Sequence, residues 1–248
     1  MIAKQRHHII LTLLETNDYL SIQEVATATA SSEATARRDL LKLEADGQLE
    51  RLHGGVTKVQ SKHLSESSLQ LKTQQAVDEK GRVAQYVAEH YLKAESVIFL
   101  DAGSATAALI PYLQAKNITV VTNGIHHIPK LLEHNVKTII VGGNIKPKTQ
   151  AVIGFQTLQQ LQGYSFDTCF IGVNAIDETF GCSTPDEAEA AIKQTAMHQS
   201  DEVVILADAS KFNQRSFSQI CELERYPIIT DACPENFKNY QRIEVINE

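Results

Sequence analysis

The sequence contains no run approaching the ~20 consecutive apolar residues that a bilayer span needs. Its first stretch, MIAKQRHHIILTLLETND, has a short apolar segment, acidic residues soon after and no small-residue cleavage site. Neither a membrane span nor a secretory leader is expected. Cysteine is scarce: Cys169, Cys182, Cys221 and Cys233 form no C-x-x-C pair and are too few for a disulfide framework, so reduced thiols in a cytoplasmic protein are expected. Histidine offers no metal spacing, because His7-His8 and His126-His127 are adjacent pairs without the i,i+4 separation that puts two ligands on one helical face. They read as helix-surface or phosphate-contacting residues, and neither a metal nor a cofactor is expected. An excess of positive charge is also missing. The net charge is −7, and residues 1–60 carry seven Lys/Arg against eight Asp/Glu. A nucleic-acid reader needs a local positive face and not a positive total. Any such argument must rest on where the charges point.

In the first sixty residues Ile9, Ile10, Leu13 and Leu14 form one helical stripe, which Asn17-Asp18 breaks. Ser21 is a candidate N-cap for a short second helix with Ile22, Val25 and Ala26 on its buried face. Ser31 or Ser32 can cap a third helix that runs to Gly47, where a C-cap is expected. Two helices joined by a short turn after a first are the arrangement of a helix-turn-helix. At 100° per residue, Ala36, Leu40 and Leu43 face the core, while Ala34, Thr35, Arg38 and Lys42 lie opposite with Arg37 on the flank. Glu33, Asp39 and Glu44 fall nearer the core-side margins. Small and hydroxylated residues let a helix approach base edges, and arginine reaches guanine edges or phosphates. QLERLHGGVTKV reads as two short strands around Gly54-Gly55, a wing that places Arg51, His53 and Lys58 near DNA. The expected DNA-contacting residues are Ser32, Ala34, Thr35, Arg37, Arg38, Lys42, Arg51 and His53.

This segment resembles the DNA-binding domain of the DeoR family of bacterial sugar-metabolism regulators. The family pattern T-x-R-R/K-D-L-x-x-L-E-x-x-G followed by R-x-x-G-G-A/V is met by Thr35, Arg37, Arg38, Asp39, Leu40, Leu43, Glu44, Gly47, Arg51, Gly54 and Gly55.

SKHLSESSLQLKTQQA (61–76) is polar and reads as a connector or a partly helical hinge. Beyond it, β-branched strands at 97–101, 118–123, 138–143, 168–173, 202–208, 227–231 and 242–246 alternate with helical stretches near 79–93, 104–115, 125–134, 154–162 and 185–199. Apolar strands between amphipathic helices imply a mostly parallel sheet covered on both faces, with ligands beyond the carboxyl ends of the strands. The expected architecture is α/β: a small N-terminal winged helix-turn-helix domain (1–58), a linker (59–77) and a larger Rossmann-like α/β/α domain (78–248). At the strand ends stand Asp101, Gly103, Ser104, Thr106, Thr122, Asn123, Gly142, Gly143, Asn174 and Lys211. Such residues suit a small polyhydroxylated phosphate, with the turn at Gly103 opening a helix whose N-terminus favours an anion.

The resemblance to the DeoR family continues here through Asp78-Glu79-Lys80, Leu100 to Thr106, Val120 to Asn123, Gly142-Gly143, the segment with Asp167, Phe170, Gly172, Asn174 and Ile176, the segment with Gly181, Thr184, Glu187 and Ala188, and Asp208 to Phe212. The family's effector domain is similar in fold to ribose-5-phosphate isomerase. The resemblance implies a phosphosugar site that includes Asp101, Gly103, Ser104, Thr106, Asn123, Gly142, Gly143, Asn174 and Lys211, with Thr122 and Glu187 beside them. Ala105, Ala175 and Ala209 depart from the family pattern and bear on ligand choice.

The alternative is an isomerase with an added DNA-binding head. Aldose–ketose isomerisation needs a carboxylate base, and this chain has Asn174 within Val173–Ile176 where the isomerases carry an acidic Asp-Gly-Ala-Asp segment. An amide cannot serve as that base, although Glu187 remains nearby. A sensor for an acyl-CoA is a further alternative, disfavoured because no adenine-binding cleft is apparent. The expected protein is a cytoplasmic regulator, a repressor by the family's usual mode. It is expected to act as a homodimer or homotetramer on double-stranded operator DNA, with no membrane partner.

Overall fold

The computed structural model describes residues 2–17, 19–45, 48–52, 54–58 and 69–246. The expected helix cap at Gly47, the wing residue His53 and most of the 59–77 connector lie outside the described residues. The chain divides into two compact units, Met1–Ser61 and Lys62–Glu248.

The smaller unit runs α1 (Ala3–Thr16), β1 (Tyr19–Ser21), α2 (Ile22–Ala28), α3 (Glu33–Ala45), β2 (Leu49–Leu52) and β3 (Gly55–Lys58). Ser21 caps α2 as its sequence implies. The Glu24 amide donates to the Ser21 hydroxyl at 3.2 Å, and the Glu24 carboxylate accepts from the Ser21 amide at 2.8 Å. Ile10, Leu14, Leu20, Val25, Ala36, Leu40, Leu43, Leu49 and Val56 bury together as one core. The wing has a third strand, since β1 pairs with β3 alongside β2. A Cβ at Gly55 would lie 2.3 Å from the Leu20 carbonyl and 2.5 Å from the Tyr19 ring, so only glycine lets β3 close on β1.

The larger unit opens with α4 (Leu69–Gln74) and α5 (Val77–His90), followed by β4 (Val97–Leu100), α6 (Ser104–Ala107), β5 (Thr119–Thr122), α7 (Ile128–Glu133) and β6 (Lys137–Ile140). Then come β7 (Asn144–Lys146), β8 (Ala151–Ile153), α8 (Phe155–Gln162), β9 (Phe166–Gly172), β10 (Ala175–Asp177) and β11 (Gly181–Thr184). The unit closes with α9 (Glu187–His198), β12 (Ser200–Leu206), β13 (Ser218–Cys221), β14 (Ile228–Thr230) and β15 (Ile243–Val245). Seven strands form a sheet in the order β15-β14-β12-β9-β4-β5-β6, with every pairing parallel. Alternate side chains serve opposite faces. Phe99, Val121, Cys169, Ile171, Val203 and Ile205 join Leu161 of α8 and Ile192 of α9, whereas Ile98, Leu100, Val120, Phe170, Val204 and Leu206 join Val83 and Val87 of α5.

Two expectations change. The helix expected over 104–115 stops at Ala107 and continues as 3-10 turns at Ile110–Tyr112 and Gln114–Lys116; Pro111 has no amide to extend an α-helical ladder. Residues 69–76, expected in the linker, belong to the larger unit, where Leu69 is buried and its amide donates to the Lys148 carbonyl at 3.0 Å.

Candidate functional site

In the smaller unit the third helix presents one face outward. Ser32, Ala34, Arg37, Arg38 and Lys42 are exposed and Thr35 is half-buried, while Ala36, Asp39, Leu40 and Leu43 are buried. Ser32 takes the cap position, its hydroxyl accepting from the Thr35 amide at 3.3 Å. The acids do not all retire to the core side. Only Asp39 is buried; Glu33 stands 3.9 Å from Arg37 and Glu44 3.9 Å from Arg51, both in the exposed layer. An i,i+4 relation puts Glu33 beside Arg37, and the reach of the wing brings Arg51 to the helix. Arg38 and Lys42 have no ion pair among the described residues.

Asp39 is the fastener beneath this face. It accepts from Arg6 Nε at 2.6 Å and Arg6 Nη2 at 3.0 Å, with His7 Nε2 3.2 Å away. His7 is thus a partly buried contact between α1 and α3. Burial alone would push the Asp39 carboxyl up; hydrogen bonds from Arg6 and His7 and their charge outweigh it and hold it below the usual carboxylate range. A depressed folded-state value stabilises the unit above the unfolded carboxyl range, about pH 4, and the gain is lost as pH falls through the folded value. Acid titration of the full chain, read by circular dichroism, is expected to show a low-pH stability loss that Asp39→Asn flattens.

In the larger unit the sequence runs outward from the β4–β9 pair. β5 and β6 follow β4 on one side, and β12, β14 and β15 follow β9 on the other. A crevice opens where the order reverses, at the carboxyl ends of those two strands. There lies an open cleft of about 670 Å3, counted with the solvent space at its mouth. Of the residues expected to bind ligand, Asp101, Gly103, Ser104, Asn123, Asn174 and Lys211 line it.

The other five do not. Thr106 and Thr122 are fully buried behind the turn, with the Thr106 hydroxyl donating to the Asp101 carbonyl at 2.6 Å and the Thr122 hydroxyl to the Leu100 carbonyl at 2.6 Å. Gly142 and Gly143 lie past the edge strand and seat α8 instead. The Gly142 carbonyl accepts from Thr157 at 3.0 Å, and a Cβ on Gly143, where φ is +154°, would sit 2.2 Å from the Thr157 hydroxyl oxygen. Glu187 is exposed in the first turn of α9; Glu189, two residues on, is the one that turns inward.

The cavity also holds Asp208, at the end of a strand the sequence indicated, and groups that the strand-end pattern did not indicate: Lys72, Lys80, Thr149, Glu189 and Lys193. Lys193 pairs with Asp101 in a buried ion pair and donates to the Gly172 carbonyl at 3.0 Å; the Gly172 amide donates to Asp101 at 3.2 Å. Asp101 therefore bridges the reversal point. Glu189 accepts from Thr149 at 2.6 Å and lies 3.4 Å from Lys146. Lys211 stands 3.6 Å from Asp208. Asn123 is committed to structure, accepting from the Ala102 amide at 3.0 Å and donating to the Val152 carbonyl at 3.2 Å. The signal for Glu189 and Lys193 was their i,i+4 spacing on the face of α9 that carries buried Ile192 and Ala196.

His127 is wholly buried behind Gly103, not on a helix surface, and burial pulls its imidazole down to about 3; burial likewise lowers His126 to about 4. Among the described residues no group of three or more His, Cys, Asp or Glu stands close enough to hold a metal. No helix among them is long and apolar enough to cross a membrane.

Comparison with known proteins agrees with both halves. The DeoR-like helix-turn-helix domain profile matches residues 6–62, and the DeoR C terminal sensor domain profile matches residues 75–232. The HTH-type transcriptional regulator FruR of Bacillus subtilis is 38% identical over 248 residues, covering 99% of this chain and 98% of that protein. The HTH-type transcriptional regulator GlpR of Haloferax volcanii is 33% identical over 94% of this chain and 91% of that one. The HTH-type transcriptional repressor GlcR of Bacillus subtilis is 30% identical over 94% and 90%. Among solved structures, ribose 5-phosphate isomerase A of Methanocaldococcus jannaschii aligns with a TM-score of 0.41 at 18% identity over 55% of each chain, too remote to carry function. With a helix-turn-helix unit and a sensor unit both matched, the chain belongs to the DeoR family of DNA-binding transcription regulators.

Proposed function

We propose that the protein is a cytoplasmic repressor of a carbohydrate-utilisation operon, and that a phosphorylated sugar bound in the cavity of the larger unit controls its hold on operator DNA. The supporting observation is the charge of that cavity. Lys72, Lys80, Lys193 and Lys211 line it against Asp101, Asp208 and Glu189, and Lys146 already answers Glu189. These lysines share the cleft with the turn at Gly103–Ala105, whose helix-opening amides add donors for an anion. Asn174, Thr149 and Glu189 supply partners for hydroxyl groups.

The same arrangement argues for binding without turnover. Asp101 is held by Lys193 and Glu189 by Thr149 and Lys146, so neither carboxylate is poised as a free base, and Asn174 cannot act as one. On DNA, Ser32, Ala34, Thr35, Arg37, Arg38 and Lys42 of α3 would enter the major groove, with Arg51 and His53 of the wing beside it. A homodimer or homotetramer would set two such helices at half-site spacing.

The test is a fluorescence titration of the full chain against DNA from upstream of its own gene, at fixed salt because phosphate contacts make affinity fall steeply as salt rises. A panel of sugar phosphates is then added. One of them is expected to weaken DNA binding at least about fivefold, a coupling of ~1 kcal/mol. DNA binding that ignores every sugar phosphate would remove the sensor assignment. Interconversion of aldose and ketose phosphates without DNA binding would favour an isomerase.

A further inference from the structure

Helix α4 forms one wall of the cavity, through Leu69 and Lys72. It has six residues, far too few to hold a helix by its own hydrogen bonds. Ties at both of its ends pin it down. At its start, the Leu69 amide donates to the Lys148 carbonyl at 3.0 Å, beside the cavity residue Thr149. At its end, the ammonium of Lys80, reaching from α5, donates to the Lys72 carbonyl at 2.5 Å and the Gln75 carbonyl at 2.7 Å. A cation there satisfies carbonyls that a helix end leaves open and sits favourably on its dipole. Lys80 is itself a cavity-lining residue, only 7% exposed.

One ammonium thus has two duties, holding α4 and facing the ligand space. Burial drives the Lys80 ammonium below its ordinary value, with Lys211 and Lys72 adding to the strain and Asp208 opposing it. An anion entering the cavity would act as Asp208 does, favouring the charged clasp and so the seated helix. By sequence, α4 starts at residue 69, shortly after the smaller unit ends at Ser61.

We propose that α4 is the element through which cavity occupancy is read, and that Lys80 is the positioning residue that ties α4 to the ligand. This rests on the reading above that the cavity takes a phosphorylated sugar. A ligand phosphate near Lys72 and Lys80 tightens α4 on the cavity. The device needs no movement of the sheet. Marginal segments that open locally are the ones ligands stabilise most visibly.

The test is hydrogen exchange on the full-length protein, read over residues 69–76, with inorganic phosphate and then the sugar-phosphate panel at saturation. In the wild type, a bound sugar phosphate is expected to slow exchange of 69–76 by about tenfold or more. In Lys80→Met, exchange there is expected to be fast and indifferent to the same ligand, while peptides from β4, β9 and β12 keep wild-type protection. Lys80→Arg, which keeps the cation, is expected to restore part of the response. A purely structural lysine would give no such ligand-dependent split. Calorimetric binding of a sugar phosphate that leaves 69–76 unchanged would overturn the inference alone, as would full protection of 69–76 in Lys80→Met. If no sugar phosphate binds the wild type, the functional reading fails and this inference fails with it.

Discussion

Lys193→Met is expected to destabilise the larger unit by about 3–5 kcal/mol, because it leaves the buried Asp101 carboxylate without its counter-charge. Both side chains are almost fully enclosed, with 7% and 3% exposure for Lys193 and Asp101. Removing one member of such a pair costs more than the pair contributes, since the remaining charge keeps its desolvation penalty. For a domain of this size the melting temperature should drop by roughly 6–20 °C. The double change Lys193→Met with Asp101→Leu removes both charges and should recover much of the loss. Thermal unfolding of the three proteins checks this. A single-variant cost below about 1 kcal/mol, the level of a solvated surface pair, would mean that water reaches the pair and that the cavity floor is wetter than its packing indicates.

The second large effect is a separation of the two activities. Arg38→Ala should weaken operator binding by about 1–3 kcal/mol, roughly five- to 150-fold, and leave sugar-phosphate binding intact. Arg38 is exposed and free of any ion pair among the described residues, so its loss costs little in folding. Lys211→Ala should do the reverse, weakening the sugar phosphate and sparing ligand-free DNA binding. If Arg38 reads a base edge, sequence preference relaxes at one position; if it reads a phosphate, all sequences weaken alike and the salt slope falls by about one. Parallel DNA titrations and calorimetry on both variants decide it. Equal damage to both activities by each variant would overturn the division of labour.

The periodic parts of the molecule were legible. The helix-turn-helix, its cap at Ser21 and the strands near 97–101, 118–123, 168–173 and 202–208 follow from local pattern, and the structure places them within a few residues of those bounds. The first turn of the cavity, Asp101–Ser104, was readable because a glycine between a strand and a helix has a strong local reason to be there. What sequence reasoning missed depends on which side of a helix meets the sheet. Glu187 and Glu189 share a run of acids and alanines, and only the packing of α9 decides that the second enters the cavity. Lys72 was invisible for another reason: a polar segment reads as a connector until tertiary hydrogen bonds hold it down, and Lys80, legible as part of the Asp78-Glu79-Lys80 motif, carried no sign that it enters the cavity. Gly142-Gly143 misled in the opposite direction. A strand-end glycine pair looks like a ligand loop, yet here it makes room for Thr157.

The outward face of α3 carries almost none of the burden of folding. Ala36, Asp39, Leu40 and Leu43 fix the helix from below, and Ala34, Arg37, Arg38 and Lys42 project from a surface whose replacement disturbs no core contact. The cavity, by contrast, is built from groups that also hold the larger unit together, Asp101 and Lys193 foremost. The two specificities can therefore drift at different speeds. A descendant can acquire a new operator through a few surface exchanges on one helix, whereas a new effector requires changes that first threaten stability. Duplicated copies of such a gene are expected to diverge first in where they bind and only later in what they sense.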